Sequence, residues 1–140
     1  QAGLSWECVL NKQEAFRRAF DDFDWDKVAA YDEARQAALY ADPGIIRNRR
    51  KIAAAVGNAA VFAAIRQEFG SFDSYLWQWT GGKTLVERGP TTSPLSDAIS
   101  KDLKKRGMKF VGSTIIYAYL QAVGVLYAHE PGCFLEKKCP

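Results

Sequence analysis

Apolar positions recur along residues 5–20 at three- and four-residue spacing. Trp6, Val9, Leu10, Phe16 and Phe20 fall near one stripe, while Lys12, Glu14 and Arg17 lie off it. The spacing predicts one helix, capped by Ser5, whose hydroxyl can accept a first-turn N–H. Asp24 is placed to cap a short helix through Trp25, Val28 and Ala29. Asp32 caps another, DEARQAALYA, which stops before Pro43 because proline disfavours helical geometry in the residue ahead of it. A longer helix starts at Arg47 or Asn48 and runs to about Phe69, with Ile52, Ala55, Val56, Ala59, Phe62 and Ala63 at helical spacing and Gly70 as its stop. Ser71 opens a short helix with Phe72, Tyr75, Leu76 and Trp79 on one face, closed by Gly81 and Gly82. After a polar loop containing Pro90 and Pro94, Thr92 or Ser93 caps a helix with Leu95, Ala98, Ile99 and Leu103 inward. Residues 110–127 are apolar almost all round, the pattern of a buried central helix that Ser113 or Thr114 caps. No stretch alternates at period two for long, so the class is all-α.

Length and composition narrow this further. A chain of 140 residues, 48% hydrophobic and 25% charged, reads as one globular domain over residues 1–140, long enough to bury about two-thirds of its unfolded surface. The apolar runs fall short of a membrane span and no basic-then-apolar leader precedes them, which points to a soluble intracellular protein. Gln1 opens the chain without a methionine, so we expect a fragment, a processed form or an incomplete reading frame. Cys8, Cys133 and Cys139 are too few for a secreted disulfide framework and fit thiols or metal ligands better.

Charge changes the picture most. Residues 41–51 hold Arg47, Arg49, Arg50 and Lys51 against Asp42, and residues 101–109 hold Lys101, Lys104, Lys105, Arg106 and Lys109 against Asp102; together they carry +7, leaving −4 elsewhere for a net +3. Segregation of this kind creates a local positive field for a polyanion. The first stretch, DPGIIRNRRK at residues 42–51, joins a proline-glycine turn to the start of a basic helix. Proline forbids helix continuation, and glycine permits a positive φ or a close backbone approach. The two isoleucines can pin the turn, and the helix start offers N–H donors to a phosphate. The local pattern leaves two readings open: a grip on a nucleic-acid backbone, or a helix stop followed by a solvated basic face.

Two further constellations carry weaker signals. His129 and Cys133 stand four apart, a spacing that can place an imidazole and a thiolate on one metal; a closed structural zinc site needs four ligands, with Cys139 a candidate third. Trp6, near the free end of the first helix, is either a stacking platform for a base or a core aromatic. No Ser/His/Asp set, phosphate-binding glycine loop or paired carboxylates stand out.

The strings QAGLSW, DPGIIRNRRKI, SDAISKDLKKRGMKFVGST and HEPGC, in that order, resemble the bacterial DNA-3-methyladenine glycosylase I family. The resemblance covers nearly the whole chain. It implies an all-α helix-hairpin-helix glycosylase fold with a structural zinc, and excision of 3-methyladenine from alkylated double-stranded DNA by hydrolysis of the N-glycosidic bond. By the same resemblance Trp6 is the aromatic on which the extruded base stacks, and Gly3 with Leu4 the wedge that fills the emptied place. Pro43, Gly44, Ile45, Arg47, Arg49 and Lys51 fall in the hairpin that holds the DNA backbone, and His129 and Cys133 match two of four zinc ligands. The family carries some forty residues ahead of QAGLSW, with the other two ligands, further pocket aromatics and a glutamate that contacts the methylated base. The sequence therefore reads as truncated at its N-terminus, with the catalytic glutamate lying ahead of Gln1 and weak or no excision expected of these residues alone. A monomer in the bacterial cytoplasm is expected, with self-association through the truncated face as the alternative. The competing functional readings are a non-catalytic helix-hairpin-helix remnant that binds DNA, and a helical interaction domain that does not.

Overall fold

The computed structural model describes residues 4–89 and 91–136. The chain divides into two compact units: one takes in the residues up to Ala64 together with Gly107–Phe110, the other Ile65–Arg106 and the residues from Val111 onward.

The first unit holds α1 (Trp6–Leu10), α2 (Gln13–Ala19), α3 (Trp25–Ala29), α4 (Glu33–Ala41) and most of α5 (Arg49–Phe69). Their starts follow the local capping chemistry: Ser5 Oγ accepts the Cys8 N–H, Asp24 those of Asp26 and Lys27, and Asp32 that of Arg35. The single helix expected over residues 5–20 is instead two. It breaks at Asn11 and Lys12, where Lys12 leaves helical geometry (φ −101°, ψ 1°) and its Nζ donates to the Gly44 carbonyl at 3.0 Å. That contact lies 32 residues away in sequence, so no local pattern announces it. Ala19, Phe20, Val28, Leu39, Ile45, Ile52 and Ala59 form the core of this unit.

Between α2 and α3 three successive non-glycine residues, Asp21, Asp22 and Phe23, take positive φ of 50°, 57° and 59°. Left-handed backbone at such residues costs roughly 1 kcal/mol each and persists where the surroundings over-determine it. Here they do. The Tyr31 hydroxyl donates to Asp21, Arg35 donates to both Asp21 Oδ2 (3.1 Å) and the Ala19 carbonyl (2.8 Å), and Arg17 pairs with Asp22. The Tyr31 hydrogen bond is the main cause holding the Asp21 carboxyl below its usual range.

The second unit contains the end of α5, α6 (Phe72–Trp77), α7 (Pro94–Lys105) and α8 (Ser113–Ala122). Ser71 caps α6, and Ser93 caps α7 through a reciprocal box with Ser96. Ile65, Tyr75, Leu76, Ile99, Leu103, Ile116, Tyr117, Leu120 and Val125 are buried in it.

Residues 110–127 depart from the expected single buried helix. Only Ser113–Ala122 is helical, with Gly112 rather than Ser113 or Thr114 at the cap position; the Ser113 hydroxyl is instead 2.7 Å from that of Ser96 on α7. The helix is buried on one side, through Ile116, Tyr117 and Leu120, while Ile115 and Tyr119 face outward. Beyond it Gly124 (φ 80°) turns the chain into β2 (Leu126–Tyr127), which pairs in parallel with β1 (Leu85–Val86). Two residues per strand are too few to alternate visibly, so the all-α class holds with this small ladder added.

Candidate nucleic-acid interface

The turn from α4 to α5 is built from the main chain outward. Asp42 ends α4, and its Oδ1 accepts the Gly44 N–H at 2.7 Å. Gly44 has no positive φ; what it supplies is closeness. A Cβ there would stand 3.0 Å from Asp42 Oδ1 and 3.3 Å from the Ala15 Cβ on α2. Gly44→Ala is therefore expected to destabilise the protein by about 1–3 kcal/mol, the usual cost of overpacking, and to weaken DNA binding with it. Thermal melts and duplex titrations of the variant check this; an unchanged melting temperature would mean that the turn yields freely.

Ile45 is buried and anchors the turn, so of this residue only the main chain is available to a ligand, whereas Pro43 and Arg47 are exposed. Asn48 then caps α5 by accepting the Lys51 N–H at 3.1 Å. This takes one of the donors at the helix start and leaves the earlier ones, at Arg49 and Arg50, directed out of its end. The Arg49 guanidinium lies 5.2 Å from the centre of the Tyr40 ring, which orients it. Lys51 is half-buried and the other three cations are exposed, so the basic cluster read from the sequence is a solvent-facing array around one helix start.

Trp6 is 75% exposed at the start of α1, which excludes the core-aromatic reading. Leu4, 43% exposed, reaches the rim of an apolar cavity of about 610 Å³ that Phe16, Phe20, Phe23 and Trp25 also line. Of these rings Phe16 stacks on Phe20 at 6.1 Å and Phe20 on Phe23 at 6.3 Å, while Trp25 packs against Phe62 on α5 at 5.9 Å. The polar lining comes from Asn48 and Lys51, the first residues of the basic helix. Trp6 itself is not part of the lining, and Gly3 lies outside the described residues. Sequence periodicity put Phe16 and Phe20 on one helical stripe and Trp25 in a short helix; that they line an open cavity together with Phe23 was not legible in it.

In the second unit the fold brings His129 and Cys133 together, with Sγ 3.5 Å from Nδ1. That separation matches the edge of a tetrahedron with Zn–S of about 2.3 Å and Zn–N of about 2.0–2.1 Å. The His129 ring packs edge-on against Tyr127 at 4.9 Å, and Arg88 donates to the His129 carbonyl at 3.1 Å, so the loop is held from two sides. Among the described residues no third donor joins them, and Cys139 lies outside those residues. The donor chemistry fits half of a zinc site.

Sequence reasoning missed an ion network in the second unit. Arg106 Nε donates to Asp102 Oδ2 at 2.7 Å, its Nη1 and Nη2 to Glu68 at 2.5 and 3.1 Å, and the buried Tyr75 hydroxyl to Asp102 Oδ2 at 2.8 Å. The four-residue spacing of Asp102 and Arg106 was a visible signal; the partners on α5 and α6 were not.

Similarity to known proteins agrees with this geometry. The methyladenine glycosylase family model matches residues 1–136. The chain is 44% identical over 139 residues to DNA-3-methyladenine glycosylase 1 of Escherichia coli K12, covering 95% of this chain and 74% of that protein. It is 37% identical over 139 residues to the DNA-3-methyladenine glycosylase of Haemophilus influenzae Rd, covering 95% and 75%. Among solved structures, a 3-methyladenine DNA glycosylase I superposes with a TM-score of 0.87 at 43% identity, over 96% of this chain and 77% of that one. The enzyme from Staphylococcus aureus, studied for its recognition of 3-methyladenine, superposes with a TM-score of 0.88 at 35% identity, over 96% and 74%. With a family match along nearly its whole length and the same helical fold in the solved relatives, this chain belongs to the methyladenine glycosylase family.

Proposed function

We propose that this chain removes 3-methyladenine from alkylated double-stranded DNA by hydrolysing the N-glycosidic bond, as the first step of base-excision repair in the bacterial cytoplasm, acting as a monomer. The observation that carries the reading is the α4–α5 turn: a glycine fixed by close approach, followed by exposed arginines around a helix start, in a chain of this family. We read that turn as a helix-hairpin-helix grip. Main-chain N–H groups and the side chains of Arg47, Arg49 and Lys51 hold phosphates, with Pro43, Gly44 and Ile45 setting the path of the main chain. Such contacts position a duplex without reading its sequence.

The base itself has to leave the stack, which costs a few kcal/mol and least for a damaged base. Leu4, together with Gly3, fills the gap. Trp6 offers an exposed indole face to the extruded base. A 3-methylated adenine is cationic, so an aromatic face attracts it more than neutral adenine, and the same charge makes it a good leaving group. Binding, stacking and exclusion of water are then the contributions of these residues. Release of radiolabelled 3-methyladenine from methylated duplex DNA tests the proposal, and absence of release by a chain that includes the N-terminal residues of its relatives would overturn it.

His129 and Cys133 we assign as two ligands of a structural zinc, which would tie the last loop to its neighbours. Elemental analysis of a chain that includes the N-terminal residues of its relatives is expected to give one zinc per chain, lost in Cys133→Ser together with several degrees of melting temperature. A metal-free protein whose melting temperature does not respond to chelator would dismiss the assignment.

A further inference from the structure

We propose that the Gly107–Phe110 loop, with Lys51, is a second contact to the DNA backbone, in which Phe110 packs on a deoxyribose and Lys109 and Lys51 take the flanking phosphates. The inference rests on the DNA reading given above. Apart from Lys51, which the two contacts share, its observations are separate from the α4–α5 turn.

The loop is built rigid. Met108 is buried and anchors it, while Asn58 on α5 clamps Lys109 in both directions: the Lys109 N–H donates to Asn58 Oδ1 at 2.8 Å, and Asn58 Nδ2 donates to the Lys109 carbonyl at 2.9 Å. A side-chain amide that satisfies both main-chain groups of one residue 51 positions away fixes the loop on the helix, so little ordering entropy remains to be lost on binding.

That rigid frame presents Phe110 outward in an unfavourable state. Its φ is +58°, a left-handed conformation that phenylalanine rarely adopts, and the residue is 53% exposed. Stability alone does not favour either property, since an exposed ring gains little burial and glycine would relieve the backbone. Strained backbone of this kind concentrates at binding sites. The ring also has a charged neighbour. Lys51 Nζ sits 5.9 Å from its centre, and the exposed Lys109 is next in the chain. An apolar disc flanked by two cations complements the alternation of sugar and phosphate along a nucleic-acid strand, and does not suit an acidic peptide, where the ring would have no regular partner.

The experiment uses fluorescence anisotropy of a labelled duplex carrying a stable abasic-site analogue, titrated over a series of KCl concentrations. Phe110→Gly removes the ring and relieves the left-handed strain, so it keeps or raises the melting temperature and is expected to weaken binding about 5- to 20-fold. Lys109→Gln is expected to lower the slope of log affinity against log salt by about 0.9, the value for one lost phosphate contact. Arg49→Gln, run in parallel, reports on the first grip. Binding by Phe110→Gly within about twofold of the unaltered chain, or an unchanged salt slope in Lys109→Gln, overturns the second contact while a weakened Arg49→Gln leaves the DNA reading standing. An unaltered chain that shows no salt-dependent binding overturns both.

Discussion

Replacing Trp6 with alanine is expected to slow release of 3-methyladenine by about 10- to 100-fold, since stacking of a base on an aromatic side chain is worth about 1–3 kcal/mol. The melting temperature should stay nearly constant. Trp6 is 75% exposed and α1 itself holds no buried residue, so truncating the indole leaves no cavity. This separation of activity from stability is what distinguishes a stacking platform from a packing residue. Trp6→Phe, which keeps a smaller ring, should recover part of the rate. Single-turnover base release and a thermal melt on the same preparations give both readouts, and a parallel fall in melting temperature would assign Trp6 to packing.

Arg106→Ala should produce the largest stability loss, about 1.5–3 kcal/mol, the worth of its charge-assisted hydrogen bond to the half-buried Asp102; the pair with the exposed Glu68 is screened by solvent and adds little. Its removal also leaves Asp102 holding only the Tyr75 hydroxyl, beside the Phe69 and Tyr75 rings on which the guanidinium now lies at 5.2 and 5.5 Å. Burial acts to raise the Asp102 pKa, but the hydrogen bonds from Arg106 and Tyr75 outweigh it, so the carboxyl sits below its ordinary range; Glu68 is held low chiefly by the Arg106 hydrogen bond. A carboxyl depressed in the folded state contributes stability that is present above its unfolded pKa of about 4 and lost as pH falls through the lower folded value. The unaltered protein should therefore lose stability below about pH 4, and Arg106→Ala should lose less over the same range because its contribution is already gone. Urea melts at pH 7 and at successive acid steps test this, and an acid slope unchanged by the substitution would remove the network from the account. The Tyr75 hydroxyl, raised well above its ordinary value mainly by burial, stays protonated throughout and continues to donate.

The features that sequence periodicity located were those closed within one turn of helix. The caps at Ser5, Asp24 and Asp32 each bond an amide two or three residues ahead, and side chain and partner sit in the same short string. The extent of α5 was legible for the same reason, from Asn48 at its start to Gly70 at its end. Breaks governed by distant partners were not legible. Lys12 interrupts the first helix to reach the Gly44 carbonyl, and the run 110–127 divides where Gly124 lets β2 meet β1, some forty residues back in the chain. Hydrophobicity told the run apart from a loop without saying that two elements share it.

The candidate site shows the same division. Family resemblance singled out Trp6, the α4–α5 turn, His129 and Cys133, because those motifs are contiguous strings. Their physical states came from packing. An indole on such a helix can be buried or exposed, and the fold leaves that of Trp6 exposed. Gly44 was expected to supply conformational freedom or close approach, and the nearness of Ala15 and Asp42 selects the second. Phe110 carried no signal at all in the string KKRGMKF; its left-handed φ and its exposure belong to a loop that Asn58 clamps at Lys109, 51 positions further along the chain.

By itself, then, the sequence determined the helical class, the capped starts, the segregation of positive charge and the motifs that mark the family, because each is encoded within a few consecutive residues. Only the tertiary structure decided which aromatics face solvent, how closely Asp42 and Ala15 approach Gly44, how Arg106 joins Asp102 and Glu68, and that His129 and Cys133 come within 3.5 Å. Those outcomes depend on which residues distant in the chain are brought into contact, and a linear pattern of polar and apolar positions does not encode that distance.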